Sequence, residues 1–203
     1  MKIKMAWLAV AAALVAPVNM AVAQEAVWQN SYQFETAGKY TEALFAIDSV
    51  WASGPEAELK LLRRGWLLYS AGKFDESIRE YRLAIERNPK SVDARLGLSL
   101  PLLASKRWRE ADQAARTALD LAPNHYTALA RLAAAQEGQQ DWASLLKTAS
   151  TLVTGYPSDA TAYVYQARAQ AWLGKRTEAL AAYTAVLARY PGHLEAKAYI
   201  DKK

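Results

Sequence analysis

Few residues in this chain are spaced for reaction chemistry. The two histidines, His125 and His193, sit at equivalent places far apart in the chain. If the helices between them pack at 8–10 Å, the imidazoles stand on the order of 20 Å apart, too far to share a metal. Both read as solvated loop residues. Glu42, Glu76, Glu110 and Glu178 recur in step, just inside expected helix N-termini. An acid there suits the helix dipole and needs no catalytic role. The chain has no phosphate-cradling glycine loop, no nucleophile elbow and no HExxH helix. It also has no cysteine, which removes thiol nucleophiles, thiolate metal sites and disulfides together. The expectation is a protein that is not an enzyme, with no catalytic residue, no metal site and no cofactor. What remains is the chemistry of binding, carried by tryptophan and tyrosine.

Charge narrows the partners. Residues 1–23 run from two lysines in "MKIK" through the apolar "MAWLAVAAALVAPV" to the small-x-small "AVA" before Gln24. That order is a cleaved secretory leader. The apolar run is shorter than the roughly 20 residues a membrane-spanning helix needs, which argues against a retained anchor. Removing Lys2 and Lys4 lowers the net charge from +5 to +3. So mild a charge, with acids and bases interspersed, makes nucleic acid a poor partner. The expected location is the periplasm, with the medium or a peripheral place on the envelope as the other settings.

The elements that position these residues are read from the prolines. Pro55, Pro89, Pro123, Pro157 and Pro191 are each separated by 34 residues. A proline stops a helix by lacking an amide proton and crowding the preceding turn. Cut from Gln24 at that interval, the chain gives units 24–57, 58–91, 92–125, 126–159 and 160–193 with no insertion, and a tail 194–203. Each unit carries two apolar stripes at i, i+3, i+4, i+7, hence two amphipathic helices. Gly38, Gly72 and Gly174 share position 15, where a helix end favours a left-handed residue. Thr41, Asp75 and Thr177 share position 18 and read as N-caps of the second helix.

The 34-residue pattern resembles the tetratricopeptide repeat family. The small residue at position 8 is Ser31, Gly65, Ser99, Ala133 and Ala167; position 20, usually alanine, is Ala43, Ser77, Ala111, Leu145 and Ala179. The resemblance covers everything after the leader except the last ten residues. It implies an all-α, right-handed α-solenoid of five helix–turn–helix repeats with 194–203 as a partial capping helix. Two departures stand out. Pro101 lies within the first helix of the third repeat and predicts a kink, and Leu145 with Gln140 predicts a less closely packed fourth helix pair. Tyr40, Phe74, Trp108 and Trp142 at position 17 fill the turn in this family; Arg176 replaces them in the fifth repeat.

In this family the first helices line a concave groove whose positions 5 and 9 face the ligand, so the resemblance places the site there. Those positions and their neighbours give Trp28, Tyr32, Glu35, Leu62, Arg63, Trp66, Tyr69, Leu96, Leu100, Leu103 and Arg168 as partner-binding candidates. Trp28, Tyr32, Trp66 and Tyr69 are expected as anchors, with Glu35, Arg63 and Arg168 setting orientation. The bland alternative is that these side chains bury one another in a tight superhelix. The basic and amide residues with which some relatives hold a peptide carboxylate are missing at positions 5 and 9 apart from Arg168, so an apolar or amphipathic segment of another protein is the expected partner. The rival is a carbohydrate-binding accessory role in polymer export, for which Glu35 and Gln29 are the nearest polar companions to the tryptophans. A third reading is self-association through the thinly capped C-terminal end.

Overall fold

The computed structural model describes residues 25–202 apart from 51, 52 and 54; the leader expected over residues 1–23 lies outside the described residues. Among the described residues every regular element is an α-helix. α1 (25–36) and α2 (Tyr40–Asp48) form the first pair, α3 (Pro55–Ser70) and α4 (Phe74–Arg87) the second. α5 (Val92–Ala104) pairs with α6 (Trp108–Leu121), α7 (Tyr126–Gly138) with α8 (Trp142–Gly155), and α9 (Ala160–Trp172) with α10 (Arg176–Arg189). The tail forms α11 (Leu194–Asp201). The fold is that of an all-α helical-repeat solenoid. The chain divides into two compact units, one ending at Leu83 and one beginning at Ala84.

Helix starts differ from the sequence expectation. Second helices begin at position 17, so Thr41 and Thr177 lie inside the first turn and Lys39 and Lys175 take the cap position without a side-chain bond. Side-chain capping is found instead at position 34, ahead of the first helices, and at Asp141 ahead of α8, which accepts from the Ser144 N–H at 3.1 Å. Ser91 accepts from the Ala94 N–H at 3.1 Å, Asp159 from Thr161 at 2.9 Å, and the His193 Nδ1 from Ala196 at 3.2 Å. Both histidines are therefore helix N-cap residues, of which His193 supplies a side-chain acceptor. The repeated glutamates do lie in the first turn of their helices, Glu42, Glu110 and Glu178 among them.

The turn at position 15 is left-handed in every repeat, whichever residue occupies it. Gly38, Gly72 and Gly174 have φ of 71°, 75° and 75°, and Lys106 and Gln140 both have 58°. The same two amide bonds close each turn: Lys39 to Phe34 and Gly38 to Glu35 in the first repeat, Asp141 to Gln136 and Gln140 to Glu137 in the fourth. A side chain in this region costs about 1–2 kcal/mol, which glycine avoids. Lys106→Gly and Gln140→Gly are each expected to stabilise by about 1 kcal/mol in urea unfolding. An unchanged midpoint in both would show that these turns carry no such strain.

Close packing follows from small residues. In the first unit, Ser31 donates to the Ala43 carbonyl at 3.0 Å and Ser77 to the Gly65 carbonyl at 2.7 Å, so positions 8 and 20 join the two helices of a pair. Gly65 faces Tyr81: a Cβ there would fall 2.8 Å from the ring. The core of that unit gathers Ala43, Ile47, Val50 and Leu67. In the second unit each helix from α5 packs on the next, and α7 also touches the first helices α5 and α9, where Glu137 at position 12 meets Arg168 at position 9. The α7–α8 pair packs less closely than α5–α6 or α9–α10. α5 continues through the buried Pro101 as one helix to Ala104. The eight-residue tail helix lays Ala196, Tyr199 and Ile200 against Val164, Ala167, Ala182, Tyr183 and Val186, and Arg176 donates to the Lys202 carbonyl at 3.1 Å. Trp172, Tyr190 and Leu194 nonetheless stay exposed at that end.

Candidate functional site

Tyr32, Glu35, Arg63, Trp66 and Tyr69 come together in the first unit, from α1 and α3. Glu35 is the hinge of the arrangement. Its Oε1 accepts from the Trp66 indole N–H and its Oε2 from Arg63 Nη1. Arg63 also bonds Ser31 through Nε and Nη2, and its guanidinium lies 3.9 Å from the Tyr32 ring centre. Trp66 and Tyr69 stand 5.7 Å apart, ring to ring, and Tyr69 stands 5.9 Å from Phe74. Tyr32 is 51% and Trp66 39% exposed. The result is an aromatic face in which Glu35, Arg63 and the Trp66 indole N–H are bonded to one another.

Three expected groove residues are placed otherwise. Arg63 is buried, held by Glu35 and Ser31, and so is a strut under the face rather than a group a partner could meet. Leu96 lies in the core with Ala118 and Ala128 because α5 is covered by α6 and α7. Trp28 is half-buried against the core of Ala43, Ile47 and Leu67. Leu62, Leu100 and Leu103 are half-buried along their helices. Glu35 is half-buried and engaged on both oxygens.

Arg168, in the second unit, is the centre of a second cluster. Its Nη1 donates to Glu137 Oε1 at 2.9 Å, its Nε to Glu195 Oε1 at 2.9 Å, and its Nη2 to Glu195 Oε2 at 2.5 Å. The Tyr183 hydroxyl donates to Glu195 Oε1 at 2.7 Å. The hydrogen bond from Arg168 holds the Glu195 carboxyl below the ordinary carboxylate range, against burial and with help from Tyr183. Glu195 in turn raises Arg168, and burial followed by the bond to Glu195 raises Tyr183. Arg168, Glu195 and Tyr183 are thereby fixed in charge and direction across the neutral range.

The two clusters share an address. Glu35 and Glu137 are both position 12 of their repeat, and each bonds position 9 of the next, Trp66 and Arg168. Sequence reading found Arg168 but missed its partners. Glu195 lies in a tail read only as a cap. Trp172, 69% exposed, was missed as well. The available signal was a tryptophan at position 13, where the preceding repeat has Gly138 under the Trp108 ring. At the equivalent place Trp142 stacks on Trp172, centroids 5.1 Å apart and planes within 4°. Among the described residues no group of histidine and acidic side chains is arranged to hold a metal, and no helix is long and apolar enough to cross a membrane.

Two family models, each described as tetratricopeptide repeat, match residues 62–124 and 161–193. No curated protein matches the chain. Among solved structures, MamA from Desulfovibrio magneticus RS-1 is similar at a TM-score of 0.74 and 16% identity, over 84% of this chain and 97% of that one. A thermophilic tetratricopeptide protein of Thermus thermophilus is similar at 0.62 and 15%, over 88% and 97%. YrrB, a tetratricopeptide protein described as having an unusual peptide-binding site, is similar at 0.71 and 15%, over 85% and 89%. Identities this low show likeness of fold.

Proposed function

Because the chain is a tetratricopeptide-repeat protein, we propose that it is a non-catalytic interaction scaffold of the periplasm, an envelope assembly or export component that holds an apolar or amphipathic segment of another protein. The observation that carries this reading is the face of Tyr32, Trp66 and Tyr69. Tyr32 and Trp66 are exposed and Tyr69 half-buried, and the face is fixed from below by the Glu35–Arg63–Ser31 network. Rigid aromatic anchors of this kind concentrate interface energy because little side-chain entropy remains to be lost on binding. With both Glu35 oxygens and the Trp66 indole N–H engaged, the face offers mainly aromatic area, with the two tyrosine hydroxyls as its polar groups, which suits an amphipathic helix. That YrrB has a peptide-binding site on the same fold supports the class of partner.

The test uses the secreted form, residues 24–203, and a displayed library of amphipathic helical peptides. Trp66→Ala should weaken the selected peptides by about 2 kcal/mol or more while leaving the far-ultraviolet dichroism unchanged. Peptides that bind wild type and variant alike would place recognition elsewhere. Fractionation of the native protein tests the location independently; recovery in the cytosol with residues 1–23 intact would overturn the periplasmic assignment.

A further inference from the structure

A cavity of about 540 Å³ opens in the second unit, walled by Glu137, Arg168, Trp172, Glu195, Tyr199 and Lys202. Its size lies within the roughly 300–1,000 Å³ of small-ligand sites. It contains no residue of the Tyr32–Trp66 face and its chemistry differs from it.

Charge comes first. Two carboxylates, one guanidinium and one ammonium cancel, so neither an anion nor a cation is the natural occupant. Hydrogen-bonding capacity comes next. A guanidinium carries five N–H groups. Glu137 takes one through Nη1, and Glu195 takes Nε and one through Nη2, so Arg168 keeps a spare N–H on each terminal nitrogen. Glu137 accepts through Oε1 and, among the described residues, its Oε2 takes no hydrogen bond. A spare acceptor and a spare donor thus sit side by side within one ion pair. That is the complement of two adjacent hydroxyls, one donating to Glu137 Oε2 and the next accepting from Arg168 Nη1. The equivalent pair in the first unit is closed, since both Glu35 oxygens already have partners.

The third feature is the platform. Trp172 is largely exposed and lines the cavity, while Trp142, stacked on it, does not. What Trp172 turns to the cavity is therefore surface that Trp142 leaves uncovered. Trp142 holds the indole still, and Tyr199, packed on Tyr183 with centroids 4.5 Å apart, adds a second fixed ring to the wall. An indole offers a flat apolar surface to a ring whose C–H bonds point to one side. A neutral, polyhydroxylated ring with an apolar side is a pyranose.

We propose that this cavity binds a neutral pyranose unit of an oligosaccharide, laid on Trp172 with two adjacent hydroxyls bridging Glu137 and Arg168. The network behind it is preformed: Arg168 is held by carboxylates on two helices and Glu195 is tied to Tyr183, so little reorganisation accompanies binding.

Calorimetric or NMR titration of residues 24–203 with maltotetraose, cellotetraose and tetra-N-acetylchitotetraose tests the assignment. At least one should bind at millimolar concentration or better. Trp172→Ala and Glu137→Ala should each weaken it about tenfold or more, whereas Trp172→Phe, which keeps an aromatic face, and Phe45→Ala, an exposed residue outside the cavity lining, should retain it. Dichroism of each variant confirms that the helices are intact. Absence of binding by all three sugars would overturn the proposal, as would binding indifferent to Trp172→Ala. Protection of Trp172 by an amphipathic peptide but by no sugar would also overturn it, and assign the cavity to protein recognition instead.

Discussion

Arg63→Ala is expected to destabilise the first unit by about 2–3 kcal/mol, read as a lower urea midpoint at unchanged slope. The side chain is 5% exposed and, among the described residues, its charge is matched by Glu35, itself 22% exposed. Removing one partner of a buried ion pair typically costs about 3–5 kcal/mol, because the remaining charge stays out of water unpaired. Glu35 retains some access to solvent and so can recover part of that loss, which sets the lower figure. Ser31 would keep its bond to the Ala43 carbonyl but lose both donors from Arg63.

The double variant Arg63→Met with Glu35→Met separates the strut from a mere charge. An apolar pair of similar volume removes the desolvation cost together with the attraction, and such exchanges are often neutral or stabilising. Arg63→Ala should therefore be far more damaging than the double change. A loss below about 0.5 kcal/mol for Arg63→Ala would instead mark a solvated surface pair of the kind that contributes little. Partner binding should follow stability only indirectly, through the position of Trp66, whose indole N–H rests on Glu35.

Much of this architecture is legible in the sequence because it is local and repeated. Prolines and left-handed turns at one 34-residue interval, with small residues at positions 8 and 20, determine the helix pairs with no reference to distant contacts. Position 15 shows how firmly. Lys106 and Gln140 adopt the glycine conformation because the bonds of the helix end impose it. The capping residues were misplaced for an equally local reason. Thr41 and Thr177 are good caps by type, but the helix has already begun one residue earlier, at Tyr40 and at Arg176. The site was legible in part. Tyr32, Trp66 and Tyr69 follow from the groove positions that the family resemblance implies, whereas the fate of Arg63 does not. Position 6 in a helix gives no sign that Ser31 and Glu35, in the preceding repeat, will converge on it. The second cluster was hidden further, because Glu195 comes from beyond the last full repeat and Trp172 from a position that in the preceding repeat is glycine.

Leu145→Ala is expected to cost about 3–4 kcal/mol, although it installs the residue type the family prefers at position 20. Family preference alone predicts a neutral or favourable change. Packing predicts the reverse. In the second repeat the small pair Gly65 and Ser77 is filled by Tyr81 one turn on, and in the fifth Ala167 and Ala179 share their pair with the buried Tyr183. The fourth repeat has Ala149 at that later place, and the bulk sits instead at Leu145, which is fully buried. Its core neighbours include Ala133, Ala162 and Ala169, which have no rotamers with which to close the hole. That cluster draws on α7, α8 and α9, so the cavity weakens the join between the fourth and fifth repeats as well as the pair itself. Since repeat arrays are stabilised by nearest-neighbour interfaces, the variant should unfold in two steps, the C-terminal repeat first, with Trp142 and Trp172 reporting the early transition. Adding Ala149→Tyr should recover part of the loss by returning the bulk to position 24. A single transition with a loss under about 1 kcal/mol would mean that α8 settles inward and that repeat identity, not the filled volume, governs this joint.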